Sequence, residues 1–279
     1  MPQNDFDTFC EQNREALDEL CLKFADYEPL RGFTAAHLQA WLRQFQAQHR
    51  NAGVKLAVAL AYYSTDRISA LMQKLKAIID VQIASEQVDW SSVFYVALGR
   101  VGESGADIVR RFRNVNRLHS LSSQFVTIIE LPRVLFKAPK PVVFFMDDFI
   151  GTGKQVSDAW MGTLCEVIPD YVPKYLAVVA AFKDGMKRVE LETPLRVLCV
   201  HTLGPSCQLM ESAFRELSNQ QKTAVKAYCD RVGNQPLGFG ERGLLVSFAY
   251  GTPNNTISVV RGSKGQRPWR GLLPSWEDL

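Results

Sequence analysis

Residues Val142 to Gln155 read VVFFMDDFIGTGKQ. An apolar run makes a buried strand, two adjacent aspartates, Asp147 and Asp148, end it, and a glycine-containing loop leads into an amphipathic helix. In an open α/β sheet, ligands collect at the carboxyl ends of strands. Gly151 and Gly153 let backbone N–H groups approach an anion closely, Thr152 offers a hydroxyl, and Lys154 brings a charge to the start of the helix, all of which favour phosphate. Two carboxylates suit vicinal hydroxyls or Mg2+ instead, and an Asp-Asp pair at a buried strand end is costly unless paired or liganded. Sugar hydroxyls at one end and a phosphate at the other describe a ribose-phosphate site. The plainer alternative is a strand–turn–helix connection in which Asp148 only caps.

Working outward, short apolar runs alternate with amphipathic stretches. SVFYVAL, FVTIIEL, PVVFFM, KYLAVVAAF, PLRVLCVH and LLVSFAY read as strands, and GADIVRRF, VSDAWMGTLCEV and a stretch from about Met210 to Val232 read as helices. Buried β-rich runs alternating with helices predict an α/β fold with a parallel sheet. Before Trp90 the pattern is helical. Thr34 is an N-cap candidate for AAHLQAWLRQF, where Leu38, Trp41, Leu42 and Phe45 share a face. KLAVALAYY, Lys55 to Tyr63, reads as a second, more buried segment, and Ile68, Leu71, Met72, Leu75, Ile78 and Ile79 form a third stripe. The expected organisation is an all-α N-terminal subdomain over 1–90 and an α/β domain over 91–279, with no strand before Trp90 and a loop-like tail after Asn254.

Composition sets outer limits. A chain of 279 residues, 47% hydrophobic and 22% charged, is ordinary globular protein and fits one large domain or two modest ones. Its net charge of +3 implies no polyanion-coated partner. Six basic residues against one acid between Arg231 and Gly271 leave nucleic acid or another phosphate-bearing partner open, with a solvated surface as the plainer reading. The six cysteines form no C-x-x-C pair and no zinc spacing with the four histidines, which points to a reducing compartment. The N-terminus lacks the basic and apolar regions of a signal peptide, and no apolar run spans a membrane, so a cytoplasmic location and no membrane partner are expected.

VVFFMDD also looks like the strand that accompanies a P-loop, but no G-x-x-x-x-G-K-[ST] is present, and Gln155 stands in the Ser/Thr place. The stretch resembles the signature of the phosphoribosyltransferase-like family: a hydrophobic strand, two acidic residues, then a T-G loop. The resemblance implies that Asp147 and Asp148 contact the ribose hydroxyls of phosphoribosyl pyrophosphate and hold Mg2+ indirectly. It implies further that Ile150, Gly151, Thr152, Gly153, Lys154 and Gln155 cradle its 5-phosphate. Upstream, YVALGRVGESGADIVRRF is strand, glycine-rich loop, helix. In that fold the loop after the first core strand takes the pyrophosphate, which nominates Gly99, Arg100, Gly102, Ser104 and Gly105.

YGTPNNTISVV, Tyr250 to Val260, resembles a P-N-N-T segment of the family's subset associated with bacterial conflict or phage-defence systems, whose members also tend to carry an N-terminal helical region. Asn254 and Asn255 have amide donors and acceptors that suit a base edge, and equally suit an ordinary turn. Some relatives place an acid just before the T-G as a base for a purine, where this chain has Gly151. Two functions are carried forward. One is a Mg2+-dependent phosphoribosyltransferase, or N-glycosidic bond hydrolase, acting on phosphoribosyl pyrophosphate or a nucleotide as a defence effector with a protein partner. The other is a sensor that keeps the site without turnover.

Overall fold

The computed structural model describes residues 2–99, 104–232, 235–262 and 268–276. Among them run seven strands: β1 (Ala61–Tyr63), β2 (Val93–Ala97), β3 (Phe125–Val126), β4 (Val142–Ile150), β5 (Lys174–Phe182), β6 (Arg196–Leu203) and β7 (Val246–Phe248). The chain packs as two compact units, Asp66–Leu203 and Met1–Thr65 together with Gly204–Leu279.

The unit Asp66–Leu203 holds a five-stranded sheet in the order β3-β2-β4-β5-β6, parallel at every pairing. The α/β expectation therefore holds. β4 and β5 are buried almost throughout, as continuous apolar runs in a parallel sheet covered on both faces must be. On one face Phe94, Val96, Val143, Phe145 and Leu176 pack with Leu131 and Leu135 of helix Leu131–Lys137, with Val156 and Leu164, and with Val189 of helix Lys183–Glu192. A row of rings crosses four strands in register: Phe125 and Tyr95 (4.8 Å), Tyr95 and Phe144 (5.9 Å), Phe144 and Tyr175 (5.1 Å). Each stacked pair adds roughly 0.5–1.5 kcal/mol beyond area burial. Helix Ser104–Val115 meets this row through Phe112, 5.6 Å from Tyr95. From helix Thr65–Glu86, Gln82 Nε2 donates to the Tyr175 hydroxyl at 2.8 Å and Glu86 accepts from it. Burial and Glu86 push the Tyr175 phenol up to about 12.

In the unit built from the chain's two ends, Thr34 caps helix Ala35–Leu42 by accepting the His37 N–H, and Leu38, Trp41, Leu42 and Phe45 are all buried. Three expectations change here. The segment Lys55 to Tyr63 leaves its helix at Ala59 and becomes β1, because Ala61-Tyr62-Tyr63 pairs in parallel with β7 and Tyr63 stacks on Phe248 at 4.7 Å. LLVSFAY thus supplies β7 to a two-stranded sheet rather than a sixth strand to the larger one. The described residues beyond Asn254 are built in, with helix Ser258–Arg261, buried Leu272 and Leu273, and Trp41 Nε1 donating to Val259 O at 2.8 Å. The packing division falls after Thr65 and after Leu203.

Two boundaries shift because of caps. FVTIIEL yields only two strand residues: Glu130 accepts both the Thr127 N–H (2.9 Å) and hydroxyl (2.8 Å), turning the chain into its next helix. The helix expected from Met210 starts at Asn219, where Ser218 and Gln221 cap each other reciprocally (3.0 and 3.3 Å).

Candidate functional site

Counted from its first strand, the sheet of Asp66–Leu203 runs 2-1-3-4-5, so the chain leaves β2 towards one edge and returns to β4 on the other side. The crevice between those two strand ends is the switch point at which a doubly wound sheet binds its ligand. β2 makes its last pairing with β4 at Ala97↔Met146, and the Leu98 N–H then donates to Met146 O at 2.9 Å. β4 continues alongside β5 through Asp147↔Val178 to Ile150↔Ala181. Asp147 and Asp148 therefore occupy the part of β4 that has outrun β2. They are only 5% and 9% exposed, and the Asp148 N–H donates to Asp147 Oδ1 at 2.9 Å. Both carboxylates are thus held largely out of water near the end of β4, a placement that is costly unless they are paired or liganded.

The loop that follows is fixed by its glycines. Gly153 has φ +75°, a left-handed conformation that side-chain-bearing residues seldom adopt. Its neighbour in space is Gly185 of helix Lys183–Glu192: a Cβ on Gly153 would stand 2.6 Å from Gly185 O. Thr152 and Gly151 are half-buried, and Thr152 Oγ1 accepts the Lys154 N–H at 3.4 Å. Lys154 itself points along its helix, with Nζ 2.9 and 2.7 Å from the two carboxylate oxygens of Asp158. That pair is about half exposed and worth little in stability. It does, however, turn the cation expected at the phosphate towards a carboxylate. Gln155 is exposed.

At the end of β2, Gly99 has φ +101°. Gly105 has a packing role: a Cβ there would collide with the backbone oxygen of Leu98 and lie 3.1 Å from its C and N. Ser104 starts helix Ser104–Val115, while Arg100 and Gly102 lie outside the described residues. The structure thus brings the described parts of both nominated loops to adjacent strand ends of one sheet.

Asn254 and Asn255 belong to the unit Met1–Thr65 with Gly204–Leu279. Asn255 is 7% exposed, and its Nδ2 donates to Phe239 O at 2.9 Å, a contact of the kind an ordinary turn makes. Asn254 is exposed, and its backbone oxygen accepts from the Phe239 N–H at 2.8 Å.

Three features were passed over in reading the sequence. Gly185 backs the glycine loop, and only its place in an otherwise charged helix hinted at a packing purpose. Phe149 and Phe182 meet edge to face at 6.0 Å at the ends of β4 and β5. Asp158 was legible as the i+4 partner of Lys154. Among the described residues no three His, Cys, Asp or Glu side chains gather in a way that could hold a metal ion. Two adjacent carboxylates fit Mg2+, which keeps several waters and is held by one or two carboxylates plus substrate phosphates. They do not make an all-protein cage.

The PRTase-CE family matches residues 38–274, and the chain belongs to that phosphoribosyltransferase-like family. Among solved structures it is similar to an orotate phosphoribosyltransferase from Aeropyrum pernix, at 17% identity and a TM-score of 0.33, over 49% of this chain and 71% of that one. No curated protein matches.

Proposed function

Proceeding from membership of the PRTase-CE family, we propose that the chain is a Mg2+-dependent phosphoribosyltransferase-like enzyme acting on phosphoribosyl pyrophosphate or a related nucleotide. The observation that carries the reading is the placement of Asp147 and Asp148, buried on the overhang of β4 at the switch point of the sheet. In this reading Asp147 and Asp148 accept hydrogen bonds from the ribose hydroxyls. Their charge favours the oxocarbenium-like ribose that develops as the anomeric bond breaks. Backbone amides of Ile150 to Gln155 bind the 5-phosphate, and those of the loop from Gly99 to Gly105 bind the pyrophosphate. Bound Mg2+ supplies neutralisation of the leaving pyrophosphate.

Gly151 leaves the position before Thr152-Gly153 without an acid, so the site brings no base there for a purine acceptor. That residue favours a second reading, in which the chain binds a phosphoribosyl compound as a sensor without turning it over. The proposed cellular role, an effector in anti-phage defence beside a protein partner, is supported by the resemblance of the segment Tyr250 to Val260. A cytoplasmic setting is supported by cysteine usage. Among the described residues no helix is long and apolar enough to cross a membrane.

Titration with phosphoribosyl pyrophosphate, with and without Mg2+, tests both readings, followed by assay of released pyrophosphate across bases and nucleotides. Mg2+-dependent binding with release supports the enzyme, and binding without release supports the sensor. No binding by the wild-type chain overturns both.

A further inference from the structure

We infer that Gly185 is a positioning residue for the glycine loop: helix Lys183–Glu192 clamps Gly151 and Gly153 backbone to backbone and so holds the amides that face a 5-phosphate. The contact is reciprocal. A Cβ on Gly185 would collide with Gly151 O and stand 2.9 Å from Ile150 Cγ2, and a Cβ on Gly153 would stand 2.6 Å from Gly185 O. Neither obstacle is the end of a flexible side chain that could swing away, apart from the Ile150 methyl, and Ile150 is itself 1% exposed. One turn further on, Val189 is fully buried, and its Cγ2 would be 3.2 Å from the same Gly153 Cβ. Gly185 and Val189 thus form an i, i+4 stripe on the loop, on a helix whose sequence, KDGMKRVELE, is otherwise mostly charged.

Helix propensity alone would favour alanine at position 185. The position needs glycine because two backbones approach where a methyl group would sit. Within the loop itself, Lys154 is bonded to Asp158 and the Thr152 hydroxyl accepts the Lys154 N–H. A loop that binds phosphate through backbone amides is only as good as the placement of those amides, and misplacement by about 1 Å costs on the order of 100-fold.

The identity of the ligand rests on the proposed function, whereas the clamp does not. The test is Gly185→Ala in the full chain, read by hydrogen exchange at the amides of residues 151–156 and by titration with ribose 5-phosphate and, separately, with Mg2+ and inorganic pyrophosphate. The expected result is native circular dichroism, loop exchange faster by about tenfold, ribose 5-phosphate affinity lower by about 100-fold, and pyrophosphate affinity unchanged. Loop exchange equal to wild type overturns the clamp, as does equal weakening of both ligands. If Gly185→Ala does not fold, Val189→Ala removes the side-chain half of the contact without adding an atom. Its loop must then exchange faster relative to the amides of β5, and an unchanged loop again overturns the inference. A wild-type chain that binds neither ligand refutes the functional reading, and the exchange measurement still decides the clamp.

Discussion

Gly105→Ala separates packing from ligand binding at the loop after β2. The added methyl meets the Leu98 carbonyl oxygen well inside ordinary contact, which begins at 3.4 Å, so helix Ser104–Val115 must recede by more than about 1 Å. Leu98 cannot yield, because its own N–H is bonded to Met146 O on β4 at 2.9 Å. The helix must therefore lift the fully buried Phe112 off Tyr95 and disturb the packing of Ile108, which is also fully buried. Overpacking of this kind costs about 1–3 kcal/mol, against a helix-propensity gain of at most about 1 kcal/mol. A net loss of about 1–2 kcal/mol lowers Tm by about 2–8 °C for a protein of this size. Calorimetry or circular dichroism melting is the assay. Gly162→Ala serves as the control, since a Cβ there meets nothing within 4 Å and its melting should stay level or rise. A Gly105→Ala protein that melts at or above wild type refutes the packing role and returns Gly105 to the ligand.

Asp147→Asn and Asp148→Asn should each keep a native far-ultraviolet spectrum while Mg2+-dependent phosphoribosyl pyrophosphate affinity falls by about 100-fold or more, a loss of roughly 2.7 kcal/mol. Affinity equal to wild type in both removes the carboxylates from the site. Asn255→Ala should destabilise by about 1–3 kcal/mol through loss of the buried bond to Phe239 O, whereas Asn254→Ala should be near neutral. Denaturant midpoints of the two variants decide between turn and base-reading roles. His37 is half-buried, with Nε2 2.9 Å from Gly271 O and 3.0 Å from Leu272 O, and burial holds it below the ordinary histidine value although the two carbonyls oppose this. The unfolded chain then binds protons that the folded one does not, so stability is full above about pH 6.5 and falls as pH drops below it. Urea midpoints from pH 7.5 to 5.5 should fall more steeply for wild type than for His37→Gln, and parallel curves would exclude His37 as the source.

How much was legible depended on how local each cause is. KYLAVVAAF reads as a fully buried strand and is β5 residue for residue, because an unbroken apolar run flanked by charge leaves little choice in an α/β chain. The strand LLVSFAY was legible too, but not its partner. Pairing of Val246 with Ala61 is decided by packing across more than half the chain, and the local pattern of Lys55 to Tyr63 suits a helix equally well. The shifted boundaries near Thr127 and Ser218 were written in the sequence as T-x-x-E and S-x-x-Q. At the site, the position of Asp147 and Asp148 followed from the apolar run they continue, although the strand runs on past them to Ile150. The glycines did not sort themselves, because φ at Gly99 and Gly153 and backbone approach at Gly105 and Gly185 are properties of the folded chain.

The same contrast between local and distant causes bears on the helical region before residue 90. Read as an appended subdomain, it would be separable from the rest by a cut at that position. β1 and β7 are parallel, and parallel neighbours need a crossover connection between them. Here the crossover contains the whole of Asp66–Leu203, with its sheet and candidate site. The first 65 residues and the last 76 complete one core: Tyr27 donates to Pro274 O at 2.6 Å and Trp41 to Val259 O at 2.8 Å. A cut at residue 90 would leave β7 with an unpaired edge and expose Phe248, Val259 and Leu273, all now fully buried. The first 65 residues are therefore half of a unit whose other half lies at the far end of the chain, and any partner they bind is presented by a surface that both ends build.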